Sequence, residues 1–187
     1  MATNEELFQE WQGGKADALA TLVQRYHAPL VGHLYRLLGD AHLAEDLAQE
    51  TFFRLVRNAR SYRYPQPFLP WLYRIARNLA LNYQESAYHQ RVDLVADLPE
   101  TLIDNADPQA WVERQERQAD LMGALARLSF EQREVLSLRF GQELNVNETA
   151  DVLGVPAGTV KSRTFSALRL LRSYLEPTAL KQTERRS

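Results

Sequence analysis

The stretch FLPWLYRIARNLALNY, Phe68 to Tyr83, decides the fold class. At about 100° per residue, Leu69, Leu72, Ile75, Ala76, Leu79, Ala80 and Tyr83 gather on one side, the pattern of an amphipathic helix. Trp71 falls on the opposite side with Arg74, Asn78 and Asn82. Because the apolar stripe is already full, the indole is expected to be exposed for a partner. The helix belongs to a window, Thr51 to Gln84, with no Asp or Glu, six arginines (54, 57, 60, 63, 74, 77) and eight aromatics. Guanidinium groups neutralise phosphates and flat rings stack on unpaired bases, so this composition fits single-stranded nucleic acid.

The same periodicity extends outward in both directions, and no convincing strand interrupts it. The chain reads as all-α. Helices are expected over Asn4–Trp11, Ala16–Leu38, Ala41–Ala59, Phe68–Ala87, Pro108–Leu128, Glu131–Phe140, Val146–Leu153 and Thr159–Leu175. Gly39-Asp40 separates the second from the third, and Pro65, Pro67 and Pro70 hold Ser61–Pro67 to a loop. Ser129 with Gln132 reads as a capping box, and Asp107-Pro108 as an N-cap followed by proline at the first helical position. Two small helical domains, 1–87 and 108–176, are joined by an irregular acidic linker, 88–107, and followed by a flexible tail, 177–187.

The 187 residues, 45% of them hydrophobic, suffice to bury two cores. With no cysteine there is no disulfide, thiolate metal site or thiol redox sensor. Met1–Glu10 lacks a cationic segment followed by an apolar run, and no apolar stretch approaches the roughly 20 residues that span a bilayer. The expectation is a cytoplasmic protein without membrane insertion. The net charge of −2 conceals a sorting of charges: acids gather at Glu45, Asp46 and Glu50, vanish through the arginine window, and vanish again from Val152 to Leu175.

On the third helix, Ala44, Leu47, Ala48, Thr51, Phe52, Leu55 and Val56 make the buried stripe, which leaves Phe53 among Asp46, Gln49 and Glu50 on the opposite face. An apolar anchor bordered by charge suits a contact with another protein. The corner Arg60-Ser61-Tyr62-Arg63-Tyr64 is suited to holding a base turned out of its stack. Val146–Arg163 has helix-turn-helix spacing, with small Ala150, Gly154 at the turn, and Leu153, Val155 and Val160 packing the pair. The helix that follows starts at Gly158-Thr159 and offers Lys161, Ser162, Arg163, Ser166 and Arg169 to a major groove. Glu45 and Asp46 diverge by about 100° on their helix, and His27, His33, His42 and His89 are scattered. No glycine-rich phosphate loop, nucleophile elbow or zinc-protease motif is present. Neither an enzyme nor a bound metal or cofactor is expected.

Taken together, Leu37–Asp40, Ala44–Phe52 and Phe68–Ala80 resemble the sigma-two domain of extracytoplasmic-function sigma factors, and Arg133–Phe140 with Gly158–Arg163 is similar to their sigma-four domain. The resemblance covers nearly all of the chain outside the linker and tail. It implies a transcription initiation factor whose partners are core RNA polymerase, promoter DNA and an anti-sigma factor, as suits a stress response. Asp46, Gln49, Glu50 and Phe53 would dock on polymerase. Arg60, Tyr62, Arg63, Tyr64, Trp71, Arg74, Arg77, Asn78 and Asn82 would bind the melted minus-ten element. Thr159, Lys161, Ser162, Arg163, Ser166 and Arg169 would read the minus-thirty-five element as duplex. The linker acids Asp93, Asp97, Glu100, Asp104 and Asp107 would lie in the polymerase cleft.

Three features depart from the family pattern, one of them the turn Gln142 to Asn147, which lacks the usual aromatic. Thr149 stands where a bulky aliphatic is usual, which implies a looser hairpin, and Ser166 replaces an arginine common in the recognition helix. A helix-turn-helix repressor would account for Val146–Leu175 alone and leave Phe53, Trp71 and the aromatic corner unused. An interaction protein that keeps the fold but does not melt promoters is the other alternative.

Overall fold

The computed structural model describes residues 2–90 and 108–184, with side chains over 2–86 and 115–175. The expected linker, 88–107, falls almost entirely outside the described residues, and its five acids wholly so. Among the described residues there is no strand. Eight helices follow one another: α1 (Asn4–Gln12), α2 (Ala16–Leu38), α3 (Ala41–Arg57), α4 (Phe68–Gln90), α5 (Pro108–Ala126), α6 (Phe130–Leu136), α7 (Val146–Leu153) and α8 (Ala157–Glu184).

Most limits have a local cause. Thr3 closes a capping box with Glu6 at the start of α1, Asp40 Oδ1 accepts from Leu43 N at 2.9 Å to start α3, and Ser129 forms the expected box with Gln132. Gly39 and Gly154 adopt left-handed φ of 76° and 66°, which ends α2 and α7 where the sequence places breaks. Most other limits fall within three residues of expectation, and two differ in kind. The segment read as one helix to Phe140 is α6 followed by a π-turn, Ser137–Gly141, and the tail read as flexible continues α8 to Glu184. Helical hydrogen bonds are local, so a terminal segment can continue a helix without packing of its own.

Helices α1 to α4 close around Phe8, Leu22, Leu34, Ala44, Ala48, Leu55, Phe68 and Leu72, while Leu125, Phe130, Val135, Leu138, Leu153, Val160 and Ala167 fill the C-terminal helices. Ala44 and Ala48, one turn apart and fully buried, let α3 lie close to its neighbours. Thr149 does not loosen the hairpin. It is fully buried, and its hydroxyl donates to the Asn145 carbonyl at 2.8 Å, so the polar atom is satisfied.

The reading of Trp71 as an exposed ring is wrong. Its indole is only 9% exposed and packs on Phe8 (5.2 Å between ring centroids), Tyr62 (5.1 Å) and Phe68 (6.3 Å). The polar side of α4 is covered at its first turn by α1, and a wheel drawn for α4 alone does not contain that neighbour. Glu5 of α1 also caps α4, its Oε1 accepting from Phe68 N at 2.8 Å. Phe8 is fully buried at the centre of this cluster. Phe8→Ala should therefore cost about 3–5 kcal/mol in urea unfolding, the range for a buried phenylalanine, and should shift Trp71 emission to the red as water reaches the ring.

Candidate nucleic-acid interface

Three surfaces carry the residues singled out in the sequence. On α3, Asp46, Gln49, Glu50 and Phe53 stand at i, i+3, i+4 and i+7 and so share one face. Asp46 and Gln49 are exposed, Phe53 is 55% exposed, and the Arg57 guanidinium lies 5.6 Å from its ring centroid. Glu50 is half-buried and pairs with Arg54 at 2.7 Å. Val56, expected in the buried stripe, is exposed one turn from Phe53 and enlarges the apolar anchor.

The second surface is the corner before α4 together with the outer side of that helix. Arg60, Arg63 and Tyr64 are exposed. Arg63 Nη1 donates to the Arg60 carbonyl at 2.7 Å, and Gln12 of α1 donates to the Ala59 carbonyl at 2.7 Å, which ties the corner down. Tyr62 does not face outward: at 2% exposure it packs on Phe8 and Trp71, and its hydroxyl donates to the Gln66 carbonyl. Burial, with Glu5 and Tyr64 adding to it, pushes this phenol up to about 12, so it stays a neutral donor. Tyr62 and Trp71 thus support the corner from beneath, and the ring offered to solvent is Tyr64. Arg74, Asn78 and Asn82 are exposed along α4.

The third surface is the outer side of α8. Lys161, Ser162 and Arg169 are exposed. Thr159, Arg163 and Ser166 are half-buried: Arg163 turns toward Glu131 and Glu134, whose charges it balances in part, and Ser166 Oγ donates to the Arg163 carbonyl at 3.0 Å. The sequence reading missed Phe165. It is 71% exposed and lies on the helical face between Lys161 and Arg169, where the absence of any packing role in the helix-turn-helix spacing was the available signal.

Polar contacts join the N-terminal helices to the C-terminal ones. Arg74 donates from Nε (3.1 Å) and Nη2 (2.5 Å) to the Asp151 carbonyl, and Arg77 Nε lies 2.8 Å from Oε1 of the fully buried Glu134. His33 Nδ1 is 2.8 Å from Ser137 Oγ, which also accepts from Arg36 Nε at 3.0 Å. Tyr73 hydrogen-bonds Gln142, whose Nε2 donates to the Pro29 carbonyl at 3.2 Å. Gly141 seats this junction closely: a Cβ there would fall 2.6 Å from Arg36 Nη2. Burial, reinforced by Arg36, holds His33 down at about 3, and burial outweighs the pull of Arg77 to push Glu134 up to about 7.

Comparisons with known proteins place the chain in a family. Residues 22–89 match the family Sigma-70 region 2, and residues 124–173 match Sigma-70, region 4. The chain is 33% identical over 175 residues to the ECF RNA polymerase sigma factor BldN of Streptomyces coelicolor, covering 93% of this chain and 66% of that longer protein. It is 31% identical over 170 residues to the ECF RNA polymerase sigma factor SigW of Bacillus subtilis, covering 87% and 91%. The fold is similar to that of the sigma factor RpoE of Bartonella quintana, solved with the anti-sigma factor NepR, at a TM-score of 0.69 and 23% identity over 84% of this chain and 96% of that one. The chain belongs to the extracytoplasmic-function sigma factors of the sigma-70 family, which bind core RNA polymerase and direct it to promoters. Among the described residues, no helix is long and apolar enough to cross a membrane.

The His33 environment has a consequence for acid stability. A histidine ordinarily near 6.5 and held at about 3 when buried contributes stability above 6.5 that is lost as pH falls toward 3. Glu134, raised from 4.5 to about 7, takes up a proton on burial and works in the opposite direction between those values. The two offset each other between about 4.5 and 6.5, so acid loss should set in fully below about 4.5. Thermal melting of Glu134→Gln across pH 4–7 should expose the His33 slope from 6.5 downward, and His33→Gln should remove it.

Proposed function

We propose that the α3 face of Asp46, Gln49, Glu50, Phe53 and Val56 docks on core polymerase, within an N-terminal unit, 1–87, that also captures the melted minus-ten strand. Arg60, Arg63, Tyr64, Arg74, Arg77, Asn78 and Asn82 contact that strand, with Tyr64 as the stacking ring and Tyr62 and Trp71 as its support. The C-terminal unit, 108–176, reads the minus-thirty-five duplex through Lys161, Ser162, Phe165 and Arg169, with Thr159 at the helix start. Arg163 and Ser166 brace the helix instead of reading bases. Phe165 suits van der Waals contact with a thymine methyl, the apolar feature of the major groove. The protein acts in the cytoplasm by binding, and bond-making is left to polymerase. An anti-sigma protein that covers the α3 face would silence it.

One observation carries this reading: two acid-free stretches bearing arginines and exposed aromatics occur on the same chain as a separate face of Asp46, Glu50, Phe53 and Val56. Charge of opposite sign on different faces separates a protein partner from a nucleic-acid partner. In transcription with purified core polymerase on the region upstream of the protein's own gene, Asp46→Ala should abolish transcripts that the wild type supports, with duplex binding intact. Tyr64→Ala should slow open-complex formation by about tenfold or more, since stacking is worth about 1–3 kcal/mol per base. Phe165→Ala should weaken minus-thirty-five duplex binding and leave polymerase binding unchanged. Transcripts that survive Asp46→Ala would contradict the docking assignment, and duplex binding by a wild type that does not bind polymerase would favour a repressor.

A further inference from the structure

We propose that one side of α1 positions the corner between α3 and α4 for strand capture, with Glu5 and Gln12 as the positioning residues, and that it serves neither docking on polymerase nor reading of duplex. The proposal rests on the assignment of Arg60, Arg63 and Tyr64 to the melted strand.

Glu5, Phe8 and Gln12 stand at i, i+3 and i+7 and so share one side of α1. They meet the corner at both ends and in the middle. Gln12 Nε2 donates to the Ala59 carbonyl at 2.7 Å where the corner begins, the Phe8 ring centroid lies 4.8 Å from that of Tyr62 at its centre, and Glu5 Oε1 accepts from Phe68 N at 2.8 Å where α4 takes over. Arg60, Arg63 and Tyr64 project to solvent from the segment held between these points. The clamp is itself anchored: Thr3 and Glu6 cap α1, Asn4 Oδ1 accepts from Arg25 Nη1 of α2 at 2.7 Å, and Leu7 is buried. All of α1 precedes residue 22, where the match to Sigma-70 region 2 begins.

The chemistry of Glu5 decides its role. A carboxylate beside a phosphate strand repels it, and the window Thr51–Gln84 contains no acid of its own. Glu5 is brought to that window from α1, half-buried, with an oxygen on the N–H of the first residue of α4. The bond satisfies a donor that no carbonyl of the helix can reach, and the positive end of the helix offsets the charge. Gln12 acts at the other end with an uncharged amide, which repels no phosphate. Both bonds go to backbone groups, so they fix the path of the chain on which Arg60, Arg63 and Tyr64 stand. A loop ordered before its ligand arrives loses less conformational freedom on binding. None of the three contacts involves α3 or α8, so their loss falls on the strand-binding corner and not on the faces of Phe53 or Phe165.

Variants of the full chain are assembled with core polymerase on the region upstream of the protein's own gene. Permanganate reactivity of unpaired thymines gives the rate of strand opening at saturating holoenzyme, and anisotropy of the labelled protein gives its affinity for core polymerase. Glu5→Ala and Gln12→Met should each slow opening about fivefold, as follows if the corner without its bond holds the bound shape about one fifth of the time, with polymerase affinity within about twofold of the wild type. Glu5→Gln keeps an acceptor oxygen and loses the charge, so it should open within about twofold of the wild-type rate. Charge repulsion acting alone gives the reverse, faster opening in both Glu5 variants, and that result would overturn the proposal. Equal losses in opening and in polymerase affinity would also overturn it, because α1 would then only support the fold. Tyr64→Ala marks the corner itself: slowed opening there with unchanged opening in the α1 variants overturns the positioning role alone, and unchanged opening in all of them removes the strand assignment as well.

Discussion

A carboxylate with no exposure to water must find a cation or take up a proton, and Glu134 meets both conditions at once. Burial raises its affinity for a proton, and Arg77 from another part of the chain supplies the charge. Much else in the junction follows from that placement. The π-turn after α6 brings Ser137 to His33 and Arg36, Gly141 admits the Arg36 side chain, and Gln142 reaches both Tyr73 and the carbonyl of Pro29. A buried ion pair of this kind adds little net stability compared with apolar packing. Its use lies in fixing which surfaces meet.

The second organising element is the aromatic cluster around Phe8. It joins α1 to the start of α4 and presses Tyr62 against Trp71, so the corner carrying Arg60, Arg63 and Tyr64 stands on a rigid base. Preorganisation of this sort would lower the cost of holding the strand proposed to bind here, because the loop is already ordered. The α3 face lies outside both arrangements. Asp46, Gln49 and Phe53 are exposed, so the face proposed to dock on polymerase is complete in the folded chain.

Much of this was legible in the sequence, and the limits have physical causes. Helix periodicity gave α2 and α7 to the residue, because Gly39 and Gly154 must adopt left-handed backbone that few other residues tolerate. The exposed α3 face also followed from periodicity, since Phe53 has no place in the stripe of its own helix. Trp71 obeyed the same logic and gave the wrong answer, for a wheel describes one helix and Trp71 is buried by another. The Arg77–Glu134 pair spans 57 positions in sequence and the His33–Ser137 bond 104, distances over which residue patterns carry no signal. Phe165 carries no charge and has no packing role in the helix-turn-helix spacing, so the pattern that marked Lys161 and Arg169 did not mark it.

The junction depends on Arg77 and Glu134 acting as a pair and not as two unrelated side chains. A double-mutant cycle of Arg77→Met and Glu134→Gln, measured by urea unfolding of the full chain, tests this most directly. A coupling of about 1 kcal/mol or more, with the double variant more stable than the sum of the single losses allows, is the predicted result. Strictly additive losses would show that the two groups do not hold each other, and the junction would lose the interaction on which it is built.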